Sequence, residues 1–240
     1  RMSTSEHVPS TEPVTVRLSS GRLLRYLCHD ETATRLTWSR YSKESAMLNL
    51  GRSDLTTHVY EGGFKVWECA RDLSEYIEAN ADVVKGKKIL ELGCGAGLPT
   101  ITAFACGAET AIVQDFNAPV LVCFTRGNLR LNGIELHKVR FLEGSWSAIP
   151  VQVDKRSCDV ILSSETIYNI DDYGALHDAI EHSMAEGGVA WIAAKSFYFG
   201  LSGSVPEFVE FVQKRGLMRA REVREVDASV PRIVLELTRI

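Results

Sequence analysis

Three stretches of this 240-residue chain carry side chains whose types and spacing suit chemistry better than packing. The first is Glu91-Leu92-Gly93-Cys94-Gly95-Ala96-Gly97, which follows one apolar run and opens another. Glycines at 93, 95 and 97 let backbone pass close to a ligand and direct N–H groups at it where a helix begins. The second is Gln114-Asp115-Phe116-Asn117, about 20 residues past the glycines, where a strand-end carboxylate holds a ribose diol. Asp115 would equally cap a following helix, and both readings stand. The third, Ser163-Ser164-Glu165-Thr166-Ile167-Tyr168-Asn169, closes the apolar run CDVIL with hydroxyls, a carboxylate and a phenol. Turn chemistry alone asks for Gly, Pro, Asn or Asp there.

Only a parallel sheet brings three such strand ends to one edge, and the apolar pattern supplies one. Val66, Ala70, Leu73 and Ile77 recur at helical spacing, so VWECARDLSEYIEAN is expected to be a helix with Trp67 on it. Strands KKILEL, TAIVQD, VRFLEG, CDVILSSE and VAWIAAK then alternate with helices over GLPTITAFACG, APVLVCFTRGNLRLNG, YGALHDAIEHSMAEGG and PEFVEFVQKRG. The third of these helices is expected to stop at its double glycine. RAREVREVDASVPRIVLELTRI reads as two strands joined by a turn.

The alternation predicts an α/β fold, a mostly parallel sheet with helices on both faces. The tight closing connection makes the last strand antiparallel to its neighbour. Seven strands ending in such a hairpin form the Rossmann-like sheet of the class I methyltransferases, not the six-parallel-strand dinucleotide fold. That domain is expected over residues 61–240, preceded by an extension or cap at 15–60. Within the extension Ser19-Ser20-Gly21 suggests a hairpin, and TRLTWSRY is a partly alternating apolar stretch. Residues 1–14, polar and with two prolines, are expected to be disordered.

A net charge of −4 argues against sequence-blind binding to nucleic acid, and no direct nucleic-acid role is expected. No apolar run approaches the ~18 residues of a membrane span, and no signal-peptide pattern is present. The six cysteines include no CxxC pair and no histidine at ligand spacing, so no metal is expected. A reduced, intracellular protein is the simplest reading. The six histidines read as surface residues.

The glycine spacing is G-x-G-x-G, and Leu98 stands where the dinucleotide fingerprint has its third glycine. An acid two residues before the first glycine, here Glu91, is typical of S-adenosylmethionine sites and lies near the methionine end. The expected cofactor residues are therefore Glu91, Gly93, Cys94, Gly95 and Gly97, followed by Asp115, Phe116 and Asn117. Gly144, Ser145 and Trp146 at the third strand end would offer a backbone donor and an indole to the adenine. Trp146 as core packing is the other reading.

Three stretches carry acceptor information: EGGFKVWEC (61–69), SETIYN (164–169) and AKSFYFGLSGSV (194–205). Together they resemble the eukaryotic protein-histidine methyltransferases of the methyltransferase-like protein eighteen type. That family lies within the seven-strand protein lysine and histidine methyltransferases, and the resemblance covers about residues 56–240. Trp67 matches the wider group's tryptophan before the glycine loop; Glu165 and Tyr168 match its acid-x-x-aromatic motif. The connection after Asn132 is short where some members carry a long charged insertion, and the first 55 residues match no motif.

The resemblance implies methyl transfer to a histidine ring nitrogen of a large-subunit ribosomal protein, by a monomer in the cytoplasm or the nucleus and nucleolus. It implies that Glu165 accepts the acceptor's ring N–H, with Tyr168 beside it. Tyr198 and Phe199 would wall the acceptor pocket, Ser163 and Ser164 would sit nearer the cofactor, and Trp67 would lid it. The residues alone leave Glu165 as a helix cap and Trp67 as core. The competing functions are a lysine methyltransferase of the same group, whose motif usually begins with Asp, and a non-catalytic scaffold that binds the cofactor.

Overall fold

The structure, a computed structural model, describes residues 11–42 and 62–240. The disorder expected at 1–10, the later part of the extension at 43–60, and Glu61 of the EGGF stretch lie outside the described residues.

Period-two alternation with both faces apolar builds the central strands. In β3 (Lys88–Leu92), Leu90 and Leu92 enter one core while Ile89 enters the other. In β6 (Cys158–Ser164), Ile161 goes one way and Val160 and Leu162 the other. With β4 (Thr110–Asp115), β5 (Val139–Glu143), β7 (Met184–Lys195), β8 (Met218–Val226) and β9 (Arg232–Arg239), they form a seven-stranded sheet. Its order is β5-β4-β3-β6-β7-β9-β8. The first five strands are parallel, and β9 runs antiparallel to both β7 and β8.

Helices cover both faces, as the alternation implied. On one side α2 (Glu68–Ala79), α3 (Ala81–Val84) and α4 (Leu98–Ala105) contribute Cys69, Leu73, Ile77, Val84 and Ala103. On the other, α7 (Ile149–Gln152), α8 (Tyr173–Ser183) and α9 (Val205–Arg215) contribute Ile149, Leu176, Ile180, Phe208 and Val212. Between β4 and β5, α5 (Ala118–Val120) passes through a π-helical turn at Leu121–Thr125 into α6 (Arg126–Leu131).

The N-terminal segment begins with the expected hairpin, β1 (Val14–Arg17) and β2 (Leu23–Tyr26), then α1 (His29–Thr37). The first described strand thus begins at Val14, the last residue of the stretch expected to be disordered, and the alternation in TRLTWSRY gives helix and turn instead of strand. An i,i+4 pair, Arg35 Nε to Glu31 at 2.8 Å, supports α1. Asn128 and Asn132 fasten the hairpin to α6 through the Leu27 N–H (2.8 Å) and both backbone groups of Arg25.

Two expectations are corrected. α8 ends at Ser183, before the double glycine, and Met184 already pairs with Cys158 in the sheet. Arg239, reaching from β9, donates to the Glu181 and Met184 carbonyls and satisfies the helix end. His177 is not a surface residue: it is fully buried on α8, edge-on to Phe211.

Candidate active site

The sheet order reverses between β3 and β6, and a cleft opens there at the carboxyl ends of β3, β4 and β6, where an open α/β sheet binds ligands. The space between its walls, counting open solvent at the mouth, is roughly 880 Å³.

The glycine loop forms its floor. Gly93, Gly95 and Gly97 all have left-handed φ, of 66°, 47° and 75°. A Cβ on Gly93 would lie 2.8 Å from the Thr166 methyl, and one on Gly95 would lie 3.2 Å from the Gly63 carbonyl. Neighbouring strand ends hold the loop in place. Gly93 N–H donates to Gln114 Oε1 (3.0 Å), Cys94 N–H to the Gln114 carbonyl (2.8 Å) and Gly95 N–H to Asp115 Oδ2 (2.9 Å). From below, the π-helical turn aims Thr125 at the Gly95 carbonyl (2.6 Å), and Asn128 donates to the Ala96 carbonyl (3.0 Å).

Asp115 lines the cleft, and its Oδ1 accepts the Asn117 N–H at 3.0 Å in the turn ahead of α5, whose N-cap position is Asn117 itself. Phe116, Gly144, Ser145 and Trp146 line the cleft as expected. The Trp146 indole donates to Gln114 Oε1 at 3.0 Å, which fixes the ring against the wall.

Four expected cofactor residues stand differently. Glu91 shares the Ile89 face of β3, so its side chain runs under α4 and does not line the cleft. There its Oε2 accepts the Thr100 N–H at 3.0 Å and the Thr100 hydroxyl, while Oε1 is buried without a hydrogen bond. Burial pushes this carboxyl up to about 8. Ser163 is also fully buried; its hydroxyl donates to the Leu92 carbonyl at 2.9 Å, tying β6 to β3, so of the two expected serines only Ser164 lines the cleft. Asn117 caps α5 outside the wall. Trp67 does line the cleft, but as the extended residue before α2, off that helix's apolar stripe. Its indole donates to the Gly62 carbonyl (3.2 Å), and Lys65 Nζ lies 4.3 Å above the ring.

Glu165 and Tyr168 face the same cleft. Glu165 follows the last residue of β6 with φ of 57°, a conformation that costs a non-glycine residue roughly 1–3 kcal/mol and that concentrates at functional sites. Its N–H donates to the Ala193 carbonyl (2.9 Å), and its side chain is only 6% exposed. Lys195, at the end of β7, places Nζ 3.6 Å from Glu165 Oε1 and 3.2 Å from Glu68 Oε2. Burial, then the neighbouring Glu165, raise the Cys69 thiol far beyond its ordinary range, so it stays protonated.

Tyr198 does not reach the cleft wall. Its hydroxyl accepts the Lys195 N–H at 3.3 Å and faces the Glu165 carboxylate, while its ring meets Tyr168 edge-on at 6.2 Å. Phe199 is 80% exposed, stacked edge-on with Phe197 outside the cleft. The segments bearing SETIYN and FYFGLSG are nevertheless stitched together. Gly203 N–H donates to the Tyr168 carbonyl (2.8 Å), and the buried Tyr173 hydroxyl donates to the Ile167 and Ser204 carbonyls and accepts the Ser204 N–H.

The motifs missed Gly63, Gln114, Thr166, Asp172 and Lys195. The double glycine in EGGF was a signal for Gly63, since a Cβ there would meet Val120 at 2.8 Å. A lone cation ending the apolar strand VAWIAAK was the signal for Lys195.

Among known proteins, the model of a family described as lysine methyltransferase matches residues 52–200. The chain belongs to this family. It is 32% identical over 191 residues to the histidine protein methyltransferase 1 homolog of Dictyostelium discoideum, covering 79% of this chain and 62% of that protein. It is 31% identical over 262 residues to the homolog of Bos taurus, covering 98% of this chain and 67% of that protein. The chain thus spans about three fifths to two thirds of the length of these relatives. The fold is shared with the ribosomal protein L11 methylase of Lactobacillus delbrueckii subsp. bulgaricus, at 16% identity and a TM-score of 0.53, over 75% of this chain and 83% of that one. SMU.776 in complex with SAH also shares it, at 10% identity and a TM-score of 0.61, over 95% of this chain and 57% of that one.

Among the described residues no group of histidine, cysteine and acidic side chains could hold a metal, and no helix is long and apolar enough to cross a membrane.

Proposed function

We propose that this protein is an S-adenosylmethionine-dependent methyltransferase acting on a histidine ring nitrogen of another protein. The observation that carries the reading is Glu165, strained into the left-handed region at the end of β6 and sharing one cleft with the glycine loop.

The residues present fit the cofactor. Gly93, Gly95 and Gly97 bring left-handed backbone to the cleft lining, which permits close approach to a ligand, and Asp115 stands where a carboxylate takes a ribose diol. Trp146 and Gly144 suit an adenine, and Trp67 and Lys65, stacked on each other, line the same cleft. When bound, the cofactor supplies an electrophilic methyl on a sulfonium, so the protein's task is alignment.

Histidine asks less of this site than lysine does. Neutralising a lysine near pH 7 costs roughly 4.6 kcal/mol from reference values, whereas a histidine is already mostly neutral. Glu165 accepts the N–H of one ring nitrogen and leaves the other's lone pair as nucleophile. It then stabilises the ring cation until that N–H proton leaves to solvent. Tyr168, edge-on to Tyr198, closes the side of the acceptor ring.

The family description favours a lysine acceptor as the second reading. Similarity to curated histidine methyltransferases over most of the chain, and the cation already beside Glu165, favour histidine. The resemblance of SETIYN and its partner stretches supports a large-subunit ribosomal protein as acceptor, modified by a monomer in the cytoplasm or nucleus.

The test is to incubate the purified protein with radiolabelled S-adenosylmethionine and a ribosomal-protein extract, then hydrolyse the labelled band. Label in methylhistidine supports the reading. Label in methyllysine moves the protein to the second reading, and no label with cofactor bound leaves the scaffold.

A further inference from the structure

Lys195 closes β7 one strand away from Glu165, and neither the glycine loop nor the acid-x-x-aromatic motif accounts for it. Its ammonium lies between two carboxylates, Glu165 at 3.6 Å and Glu68 at 3.2 Å, with the Trp67 ring centred 5.4 Å away. The two acids are not equivalent. Glu68 is 59% exposed and screened by water, whereas the Glu165 side chain is 6% exposed. The Cys69 thiol and the Tyr198 hydroxyl, both neutral, also face the Glu165 carboxylate, and its buried Oε1 takes no hydrogen bond, so the charge that pairs with it is the Lys195 ammonium. The neighbouring cation, Arg232, is engaged elsewhere, forked onto Asp72. Lys195 therefore delivers one positive charge to the inner side of the carboxylate whose residue lines the cleft.

An acceptor arriving at Glu165 meets that charge. A neutral imidazole brings a dipolar N–H and feels little repulsion. A lysine arrives as an ammonium, and two ammonium groups sharing one poorly solvated carboxylate repel strongly. We propose that Lys195 is a specificity-determining positioning residue: its fixed positive charge on Glu165 sets the site for a neutral ring nitrogen and against a lysine ammonium. The proposal rests on the reading of Glu165 as the acceptor-side carboxylate.

The test compares the wild type with Lys195→Met, which keeps an unbranched apolar stem and deletes the charge, and with Lys195→Arg, which keeps the charge. Lys195→Gln is run beside them, so that one misfolded variant leaves the measurement standing. Each protein is given radiolabelled S-adenosylmethionine and a total-protein extract from cells grown with a methylation inhibitor. The hydrolysate is resolved into methylhistidine and methyllysine. The charge-deleting variants are expected to raise the methyllysine-to-methylhistidine ratio by roughly tenfold or more, and Lys195→Arg to hold the wild-type ratio. A merely structural role lowers both labels together and leaves the ratio fixed. An unchanged ratio in folded Lys195→Met and Lys195→Gln, or a ratio raised equally by Lys195→Arg, overturns the proposal. A wild type that labels no histidine overturns the functional reading itself, which separates the two failures.

Discussion

Glu91→Gln isolates the buried acid beneath the glycine loop. The wild-type carboxyl is fully buried, gives one oxygen to Thr100 and leaves the other without a partner. Burial raises it from an ordinary 4.5 to about 8, which makes the folded state favour its neutral form. Its contribution is therefore fully present below the unfolded value, declines as pH rises from 4.5, and is lost by about 8. Between those limits the slope is about 1.4 kcal/mol per pH unit, so the wild type gives up about 3 kcal/mol by pH 7. Glutamine keeps an oxygen for Thr100, never ionises and carries no such dependence. Urea denaturation in one-unit steps from about pH 5 to pH 8 reads the difference. The two proteins should have similar stability profiles near pH 5 and separate steadily above it, the variant becoming the more stable. Parallel profiles across that range would show that Glu91 does not titrate with folding, and the burial argument would fall.

Two further outcomes follow from the geometry. Asp115→Asn removes the charge that receives the Gly95 and Asn117 N–H groups, and should weaken S-adenosylmethionine binding by roughly ten- to a hundredfold in calorimetry. Unchanged affinity would remove Asp115 from the cofactor site. Tyr173→Phe strips a buried hydroxyl of three backbone partners that join the two acceptor-side segments, and should cost about 2 kcal/mol in urea denaturation. A loss under about 0.5 kcal/mol would mean the segments hold together without it.

The sheet was legible because its strands are buried on two faces and punctuated by glycines, so β3 through β6 and the closing hairpin declare themselves locally. The end of α8 was not: Arg239, 55 residues past Met184, satisfies the helix's last carbonyls. Strand-end position found Asp115, Trp146 and Glu165, because the register of a parallel sheet carries strand ends to one edge. Glu91 and Ser163 sit at the right places in the chain, but their side chains turn inward to Thr100 and Leu92. Lys195 was marked in the sequence only as a lone cation ending an apolar strand; its pairing with Glu68 and Glu165 lies in the space between α2 and β6, which no local pattern encodes.

The central claim is that Glu165 orients a histidine acceptor beside the cofactor. Glu165→Gln keeps the shape, removes the charge and lies off the glycine loop. With S-adenosylmethionine affinity followed by calorimetry and product by methylhistidine release, affinity should stay within about twofold while turnover falls by roughly a hundredfold or more. Normal affinity with full turnover would contradict the account and return Glu165 to the role of a strained strand end.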